Sequence, residues 1–317
     1  MEKGKILFID TAHDELRLRL TAQGFKCDYF ADYNREDYLN VAYKYTGIIV
    51  RSKIKLDSEF LKKCTNLRFI GRVGAGMENI DTKFANHVNI ACLNAPEGNR
   101  DAVGEQAVGM LLSLFNNLII ADTQVRDGIW IREGNRGYEL GGKTLGIIGY
   151  GNTGRAFAKK LSGFDMEIIA YDKYKKNFSD EYATEVSMNE LFNSCDIVSL
   201  HVPLTDETNY LVNSEFISSF KKSIYIINTS RGKVLETSAL VEGIKSKKVL
   251  GACLDVLEYE GLSFENMDIP DDVKDLLKVR NVVLSPHIAG WTHESNYKMA
   301  VTIAQKVEML NLPTISS

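Results

Sequence analysis

Three charged side chains in the last third of the chain each lie at or just beyond the end of a different predicted strand. Arg231 follows one strand, a carboxylate at Glu258 or Glu260 follows the strand candidate Val249–Val256, and His287 follows the candidate Val282–Pro286. Ligands of open α/β sheets bind beyond the carboxyl ends of the strands, so these side chains can meet over one pocket. Arginine binds carboxylates, and a histidine beside a carboxylate transfers protons near neutral pH. The set predicts acid–base chemistry on a small anionic molecule.

A glycine-rich segment lies between the predicted strand Thr144–Tyr150 and the predicted helix Thr153–Gly163. Its residues are Gly149, Tyr150, Gly151, Asn152, Thr153 and Gly154. The pattern G-x-G-x-x-G in this setting is the dinucleotide-binding fingerprint, with the pyrophosphate at the helix N-terminus. Asp172 ends the next predicted strand about 20 residues on, where a carboxylate accepts the ribose hydroxyls and repels a 2′-phosphate. We therefore expect NAD rather than NADP as the cofactor, although Lys173, Lys175 and Lys176 could soften that repulsion.

Short apolar runs alternate with helical patterns along the whole chain, which predicts parallel sheets that are buried on both faces. Further strands are predicted at Lys5–Asp10, Gly47–Arg51, Arg68–Val73, Ile90–Asn94, Glu167–Asp172, Asp196–Val202 and Ser223–Thr229. Further helices are predicted at Glu15–Ala22, from about Asp101, at Thr237–Ser246 and at His293–Leu312. The fold class is α/β, and 317 residues suggest two domains.

Composition excludes several classes of function. The formal net charge of −4 gives no indication of a nucleic-acid partner. Five scattered cysteines without a C-x-x-C pair argue against a disulfide scaffold or a metal site, so no metal is expected. The most apolar stretch, Val108–Ala121, is interrupted by polar residues and is too short to span a membrane. Without a signal-peptide pattern at the N-terminus, we expect a cytoplasmic protein that does not bind membranes.

The chain resembles the D-isomer-specific 2-hydroxyacid dehydrogenase family over nearly its whole length. The matching stretches are Arg72-Val73-Gly74-Ala75-Gly76, Asn94-Ala95-Pro96, Gly142 to Gly149, His201-Val202-Pro203-Leu204, the segment around Arg231, and Pro286-His287. The resemblance implies two Rossmann-like, doubly wound domains with an active-site cleft between them. Residues 1–98 and 290–317 would form a flavodoxin-like substrate domain, and residues 99–289 would form the NAD domain.

The resemblance also implies roles for the site residues. Arg231 would hold the substrate carboxylate and polarise its carbonyl, and His287 would exchange the proton with the carbonyl oxygen. Glu260 would pair with His287; Glu258 is a rival for this role, but the spacing from Asp255 favours Glu260. The remaining cofactor contacts would come from the fingerprint and from Asp172, Pro203, Thr208, Thr229, Asp255 and His287. For Pro203 and Thr208, a plain turn after a strand explains the residues nearly as well.

For the substrate, the resemblance implies that Ala75 and Gly76 present backbone N–H groups to a carboxylate. Arg51 and Lys53, with Arg132 reaching over from a neighbouring subunit, match the basic positions that bind phosphate in the phosphoglycerate-specific members. We therefore expect D-3-phosphoglycerate and 3-phosphohydroxypyruvate of serine biosynthesis as the substrate pair. The alternatives are a glyoxylate/hydroxypyruvate or D-lactate-type reductase and, more distantly, an NAD-sensing protein-binding module.

Three smaller features complete these expectations. Glu78 replaces the aspartate that most members carry after the glycine turn, and Trp291 could narrow the substrate pocket or could simply pack. The helix from Asp101 and the segment Gln124–Tyr138 resemble the family's dimerisation arm, so we expect a homodimer. A C-terminal regulatory domain is not expected, because the chain ends after its last predicted helix.

Overall fold

The computed structural model describes residues 3–261 and 271–314, with side chains omitted at 271–273. The chain divides into two compact units. Unit 1 comprises residues 1–99 and 291–317, and unit 2 comprises residues 100–290. The first division falls inside a long helix, Pro96–Phe115, and the second falls just before the last helix, His293–Met309.

The described residues of unit 1 form five strands, with a helix after each of them. The strands are β1 (Gly4–Phe8), β2 (Phe25–Tyr29), β3 (Gly47–Val50), β4 (Phe69–Arg72) and β5 (Ala91–Leu93). The helices are α1 (Asp14–Ala22), α2 (Arg35–Val41), α3 (Ser58–Lys63), α4 (Thr82–His87), the start of α5 (Pro96–Phe115) and, from the end of the chain, α12 (His293–Met309).

The described part of unit 2 forms a second, larger sheet. Its strands are β6 (Thr144–Ile148), β7 (Glu167–Tyr171), β8 (Thr184–Glu185), β9 (Ile197–Leu200), β10 (Ile224–Asn228), β11 (Val249–Leu254) and β12 (Val282–Leu284). Its helices are the rest of α5, α6 (Leu118–Arg126), α7 (Asn152–Leu161), α8 (Met188–Ser194), α9 (Ser214–Ser219), α10 (Thr237–Lys245) and α11 (Asp271–Leu277).

Both sheets are parallel and doubly wound. The order in unit 1 is β2-β1-β3-β4-β5, the flavodoxin-like order, and the order in unit 2 is β12-β11-β10-β9-β6-β7-β8. In β3 the buried residues alternate between two apolar layers: Ile48 and Val50 pack on one face, and Ile49 packs on the other with α12. Ile147 and Ile148 divide in the same way between the two layers of unit 2. Each sheet is therefore covered on both faces, as continuous apolar strands require.

The predicted fold class is confirmed, and the differences lie in the elements themselves. β2 and the two-residue β8 were not predicted; β2 is partly exposed at a sheet edge, and β8 is too short to produce a pattern. The long helix begins at Pro96 rather than near Asp101. Proline is well suited to the first turn of a helix, where its missing N–H costs no hydrogen bond.

Helices α5 and α6 differ in what they bury. α5 packs Met110, Leu111 and Leu114 into the core of unit 2, whereas α6 leaves Leu118 and Ile119 exposed. Across the described residues, no single helix is long and apolar enough to cross a membrane; α5 and α6 meet that criterion only as a pair, bent by 63°.

Candidate active site

The fingerprint segment forms the tight connection from β6 to α7. Gly149 adopts the left-handed region at φ +92°, and a Cβ at Gly154 would overlap the Gly149 carbonyl oxygen. A Cβ at Gly151 would meet no protein atom within 4 Å, so the backbone is open to a ligand there. No side chain caps the N-terminus of α7. The free N–H groups of its first turn therefore face an open approach, the arrangement that binds a pyrophosphate.

Asp172 lies directly beyond β7, and both of its carboxylate oxygens accept backbone N–H groups. Oδ2 accepts from Tyr150 N at 3.0 Å, and Oδ1 accepts from Tyr174 N at 3.0 Å and Lys175 N at 3.1 Å. These bonds link the carboxylate to the fingerprint turn itself. Two of the three nearby ammonium groups are engaged elsewhere: Lys175 Nζ donates to the Tyr150 carbonyl, and Lys173 Nζ pairs with Glu207 at 2.8 Å.

The remaining predicted cofactor positions fall into two groups. The Thr229 hydroxyl is buried beyond β10 and has no hydrogen-bond partner within the described residues. A buried hydroxyl without a partner is unfavourable, so a bound polar group would satisfy it. In contrast, Thr208 Oγ1 donates to the Pro203 carbonyl at 2.6 Å and closes a turn after β9. The open glycine backbone and the orphaned hydroxyl fit a nicotinamide dinucleotide.

His287 and Glu260 form the centre of the site in unit 2. His287 Nδ1 lies 2.6 Å from Glu260 Oε2, and the two side chains are 22% and 17% exposed. The other Glu260 oxygen accepts the backbone N–H of Leu257, which holds the carboxylate in place. His287 itself adopts φ +55°, an uncommon conformation for a residue with a side chain. Glu260 thus engages Nδ1, and Nε2 is the other ring nitrogen.

Asp255 positions the backbone that carries this histidine. Its Oδ1 accepts from Ser285 Oγ at 2.6 Å and Ile288 N at 2.9 Å, and its Oδ2 accepts from Ala289 N at 2.8 Å. The His287 N–H donates to the Asp255 carbonyl at 2.7 Å. Burial raises the pKa of Asp255, while the donated hydrogen bonds work in the opposite direction. Asp255 therefore stabilises the left-handed turn at His287.

The two candidate glutamates are placed differently. Glu258 Oε1 accepts from the Tyr210 hydroxyl at 2.5 Å, and its Oε2 accepts from the Thr237 N–H at 3.0 Å, at the start of α10. Glu258 thus caps a helix, whereas Glu260 contacts the imidazole. The two glutamates are close in sequence, but their side chains have different partners because the chain turns between them after β11.

Arg231 lies just beyond the end of β10. The Asn228 side chain donates to the Arg231 carbonyl at 3.0 Å, and one Arg231 guanidinium N–H donates to the Ser230 carbonyl at 2.7 Å. A Cβ at Gly232 would overlap the backbone of Leu257, so the arginine segment packs closely against the segment that carries Glu260. The structure brings Arg231, Glu260 and His287 to one edge of the seven-stranded sheet.

The predicted cations of unit 1 lie at the carboxyl edge of the five-stranded sheet. The Arg51 guanidinium lies 3.8 Å from the centre of the Trp291 ring. Its backbone N–H donates to Asp10 Oδ2 at 2.5 Å, and the Lys53 N–H donates to the same oxygen at 3.3 Å. The Lys53 ammonium donates to the Ala31 carbonyl at 2.8 Å, away from the Arg51 contact. Burial lowers the pKa of Arg51, and the charge of Asp10 opposes that shift.

The glycine turn after β4 offers backbone donors at the same edge. The Gly74 carbonyl accepts from Ala95 N at 2.8 Å, and the Ala75 carbonyl accepts from the Asn94 side chain at 2.6 Å. The N–H groups of Ala75 and Gly76 donate to no acceptor in the described part of the chain. The turn is thus held by its carbonyls and presents its N–H groups to a ligand.

Some residues of these sites carried no assigned role from the sequence. Asp10 and Ser285 hold the loops of Arg51 and His287, and each could have been noticed as a polar residue at a strand end.

Arg132 lies on an exposed stretch of unit 2, and its side chain has no partner among the described residues.

Comparison with known proteins identifies the family. A family model described as D-isomer specific 2-hydroxyacid dehydrogenase, NAD binding domain, matches residues 108–289, more than half of the chain. The chain belongs to the D-isomer-specific 2-hydroxyacid dehydrogenases. The site in unit 2 lies within the matched range of this family's NAD-binding domain. The cofactor is accordingly a nicotinamide dinucleotide, in agreement with the open fingerprint turn.

Individual relatives in this family differ in their substrates. The chain is 33% identical to D-3-phosphoglycerate dehydrogenase of Archaeoglobus fulgidus, over 98% of the chain and 60% of that protein. It is 35% identical to hydroxypyruvate reductase of Thermotoga maritima, over 86% of the chain and 87% of that protein. Its fold matches D-lactate dehydrogenase of Aquifex aeolicus, solved with NAD and lactic acid, with a TM-score of 0.81 and 28% identity over 96% and 95% of the two chains. The chain thus spans less than two thirds of the phosphoglycerate-specific relative.

Proposed function

We propose that this protein catalyses hydride transfer between NAD and D-3-phosphoglycerate/3-phosphohydroxypyruvate, the reaction that leads into serine biosynthesis. The observation that carries the oxidoreductase chemistry is the 2.6 Å contact between His287 and Glu260. The observation that favours a phosphorylated substrate is the Arg51 guanidinium, which is partly buried and contacts an aromatic ring rather than a carboxylate.

Proton transfer in this proposal depends on His287. During reduction of the 2-oxo acid, its Nε2–H donates the proton to the carbonyl oxygen, and it takes the proton back during oxidation. Glu260 holds Nδ1 by the short hydrogen bond, which fixes the orientation of the ring and stabilises the imidazolium that forms. Asp255 maintains the turn that presents the ring. Nicotinamide supplies or accepts the hydride when NAD is bound.

Substrate orientation depends on Arg231. Its guanidinium is planar, permanently charged and able to bind a carboxylate through two parallel hydrogen bonds. With the carboxylate held, the adjacent carbonyl lies within reach of the same cation, which stabilises the negative charge that develops on oxygen during hydride transfer. The N–H groups of Ala75 and Gly76 are proposed as further donors to the substrate carboxylate.

The phosphate of the substrate is proposed to bind Arg51, with support from Lys53 and from Arg132 of a neighbouring subunit. A phosphate removed from water needs such cations, because an unpaired buried charge is costly. Among the three, Arg51 makes the strongest case, since the Lys53 ammonium donates to the Ala31 carbonyl.

Reduction of an unphosphorylated acid is the second candidate function. The chain spans 87% of the Thermotoga maritima hydroxypyruvate reductase but only 60% of the Archaeoglobus fulgidus phosphoglycerate-specific protein. An enzyme for hydroxypyruvate or glyoxylate would use the same His287 and Arg231 and would have no requirement for Arg51.

A homodimer is proposed from the exposed apolar residues around α6. Leu118, Ile119, Val125 and Ile129 are each about half exposed, and Trp130 is 78% exposed. An apolar patch of this kind favours burial against a second copy of the chain, which would present the same surface. Light scattering should give a dimer mass for the wild type and a monomer mass for Trp130→Glu; a monomeric wild type would contradict the proposal.

The decisive experiment is initial-rate kinetics with NADH and four acceptors: 3-phosphohydroxypyruvate, hydroxypyruvate, glyoxylate and pyruvate. We expect kcat/KM for the phosphorylated acceptor to exceed the others by about 100-fold, or about 2.7 kcal/mol of transition-state preference. A preference for an unphosphorylated acceptor would establish the second candidate. NADH binding without turnover on any acceptor would support an NAD-sensing binding module instead.

A further inference from the structure

The contact between Arg51 and Trp291 joins two distant parts of the chain within unit 1. Arg51 follows β3 directly, and Trp291 precedes α12, whose N-cap is Thr292. At 3.8 Å from guanidinium carbon to ring centre, the planar cation lies at van der Waals distance over the aromatic face. Arginine stacks on aromatic faces in this way because its delocalised charge is attracted to the negative π face.

The guanidinium is held by its stem and by the ring, and not by an anion. Its backbone N–H is bound to Asp10, but no ion pair or side-chain hydrogen bond engages the guanidinium within the residues that the structure describes. The guanidinium carries five N–H donors in a fixed plane. A desolvated guanidinium with unused donors is expected to be a binding group for an incoming oxyanion.

Trp291 remains exposed even though it makes this contact. Its relative exposure is 63%, so the apolar core does not account for its position. The indole leaves one face to solvent while its other face covers the arginine. Tyr297, one turn along α12, is also exposed but contacts His13 instead. Trp291, and not Tyr297, can therefore influence the Arg51 guanidinium.

We infer that Trp291 is a positioning residue that holds the Arg51 guanidinium in the plane needed to bind the distal oxyanion of a 2-oxo acid substrate. This inference rests on the proposed function and adds to it the residue that determines specificity. Without the ring, the long arginine side chain samples many rotamers, and each bidentate contact to an oxyanion then costs more conformational entropy. The effect falls on substrates with a distal anion and leaves the reaction at C2 unchanged.

The distal group could be a phosphate or a second carboxylate, since both offer coplanar oxygens to a guanidinium. Three acceptors separate these cases. 3-Phosphohydroxypyruvate carries a distal phosphate, 2-oxoglutarate carries a distal carboxylate, and hydroxypyruvate carries no distal anion. The variants are Trp291→Leu, which removes the aromatic face, and Trp291→Phe, which keeps a smaller one. Tyr297→Leu, on the helix that follows Trp291, is the matched control.

For Trp291→Leu we expect KM for 3-phosphohydroxypyruvate to rise about tenfold, or about 1.4 kcal/mol, with kcat within about twofold. KM for hydroxypyruvate should change less than about twofold, and Trp291→Phe should recover most of the loss. Tyr297→Leu should match the wild type with all three acceptors. An equal loss on hydroxypyruvate, or no change on the phosphorylated acceptor, would overturn the inference.

The same data distinguish failure of the inference from failure of the proposed function. If the wild type prefers 2-oxoglutarate and Trp291→Leu removes that preference, the phosphorylated substrate is wrong and Trp291 keeps its role. If the wild type prefers neither anionic acceptor, both are overturned. If it prefers the phosphorylated acceptor and Trp291→Leu retains that preference, only the role of Trp291 is overturned.

A second measurement tests the stack without any substrate. The chain contains two tryptophans, so Trp130→Phe leaves Trp291 as the only indole. Adding Arg51→Gln uncovers one face of the ring, and we expect the acrylamide quenching constant of Trp291 to rise about twofold because more of the ring is exposed. An unchanged quenching constant would contradict the contact on which the inference depends.

Discussion

At the carboxyl edge of the seven-stranded sheet, each carboxylate meets a donor of this protein: Glu260 meets His287, and Asp255 meets Ser285 and two backbone N–H groups. At the same edge of the five-stranded sheet, the Arg51 guanidinium meets an indole and no carboxylate among the described residues. The first edge is organised in advance for a reaction, whereas the second holds a cation ready for a ligand. On the proposed function, proton transfer therefore depends on unit 2 and substrate choice depends on unit 1.

The largest expected effect tests the edge of unit 2. His287→Gln should lower kcat by about 10³-fold, because it removes the group that donates and accepts the proton. The dissociation constant for NADH, measured by fluorescence titration, should change only a few-fold. A variant that retains a tenth or more of wild-type kcat would show that another group transfers the proton.

The next comparison uses the two glutamates that follow β11. Glu260→Gln should lower kcat by about 100-fold, because a neutral amide no longer stabilises the imidazolium. Glu258→Gln is the matched control: it should keep kcat within about twofold and lower the free energy of unfolding by about 1 kcal/mol, since Glu258 caps α10. Steady-state kinetics and urea denaturation on both variants check the pair. A larger kinetic loss in Glu258→Gln would reverse the assignment.

A buried histidine in unit 2 gives a pH-dependent prediction. Burial lowers the pKa of His201 from 6.5 to about 4, and its Nε2 lies 2.8 Å from Ser199 Oγ. Between these two values the unfolded chain binds a proton that the folded chain does not, so stability is lost as pH falls below 6.5. From pH 7 to pH 5 the cost is about 2 kcal/mol.

Replacing this histidine should therefore flatten the acid side of the stability profile. Urea denaturation of His201→Gln at pH 7 and pH 5 should show a difference about 2 kcal/mol smaller than that of the wild type. His87→Gln, at an exposed position in unit 1, is the control and should follow the wild type. Equal pH dependence in all three proteins would mean that His201 binds its proton in the folded state as readily as in the unfolded chain.

The smallest expected effect concerns cofactor choice. Asp172→Ser should reduce the preference for NADH over NADPH, as a ratio of kcat/KM values, by about tenfold, because the carboxylate that repels a 2′-phosphate is gone. The exposed Glu181→Gln serves as a nearby charge control and should leave the ratio unchanged. If Asp172→Ser retains the wild-type ratio, discrimination arises elsewhere in the ribose site.

Strand ends and the glycine fingerprint could be predicted well from the sequence. Apolar runs such as Ile224–Asn228 are continuous because parallel strands are buried on both faces, and the residue types after them stand out. β2 was missed because only Phe25 among its five residues is buried. β8 was missed because two residues carry no period.

Local residue pattern thus sufficed for the α/β class, for the glycine turn Gly149–Gly154 between β6 and α7, and for the positions of Arg231 and His287 beyond β10 and β12. Only the tertiary structure showed that Glu258 caps α10, assigned Asp255 to the His287 turn and placed Trp291 over Arg51. The physical reason is that a strand's end follows from burial along the chain. A side chain's partner depends on loop paths and rotamers, which are determined by packing between residues as far apart in sequence as 51 and 291.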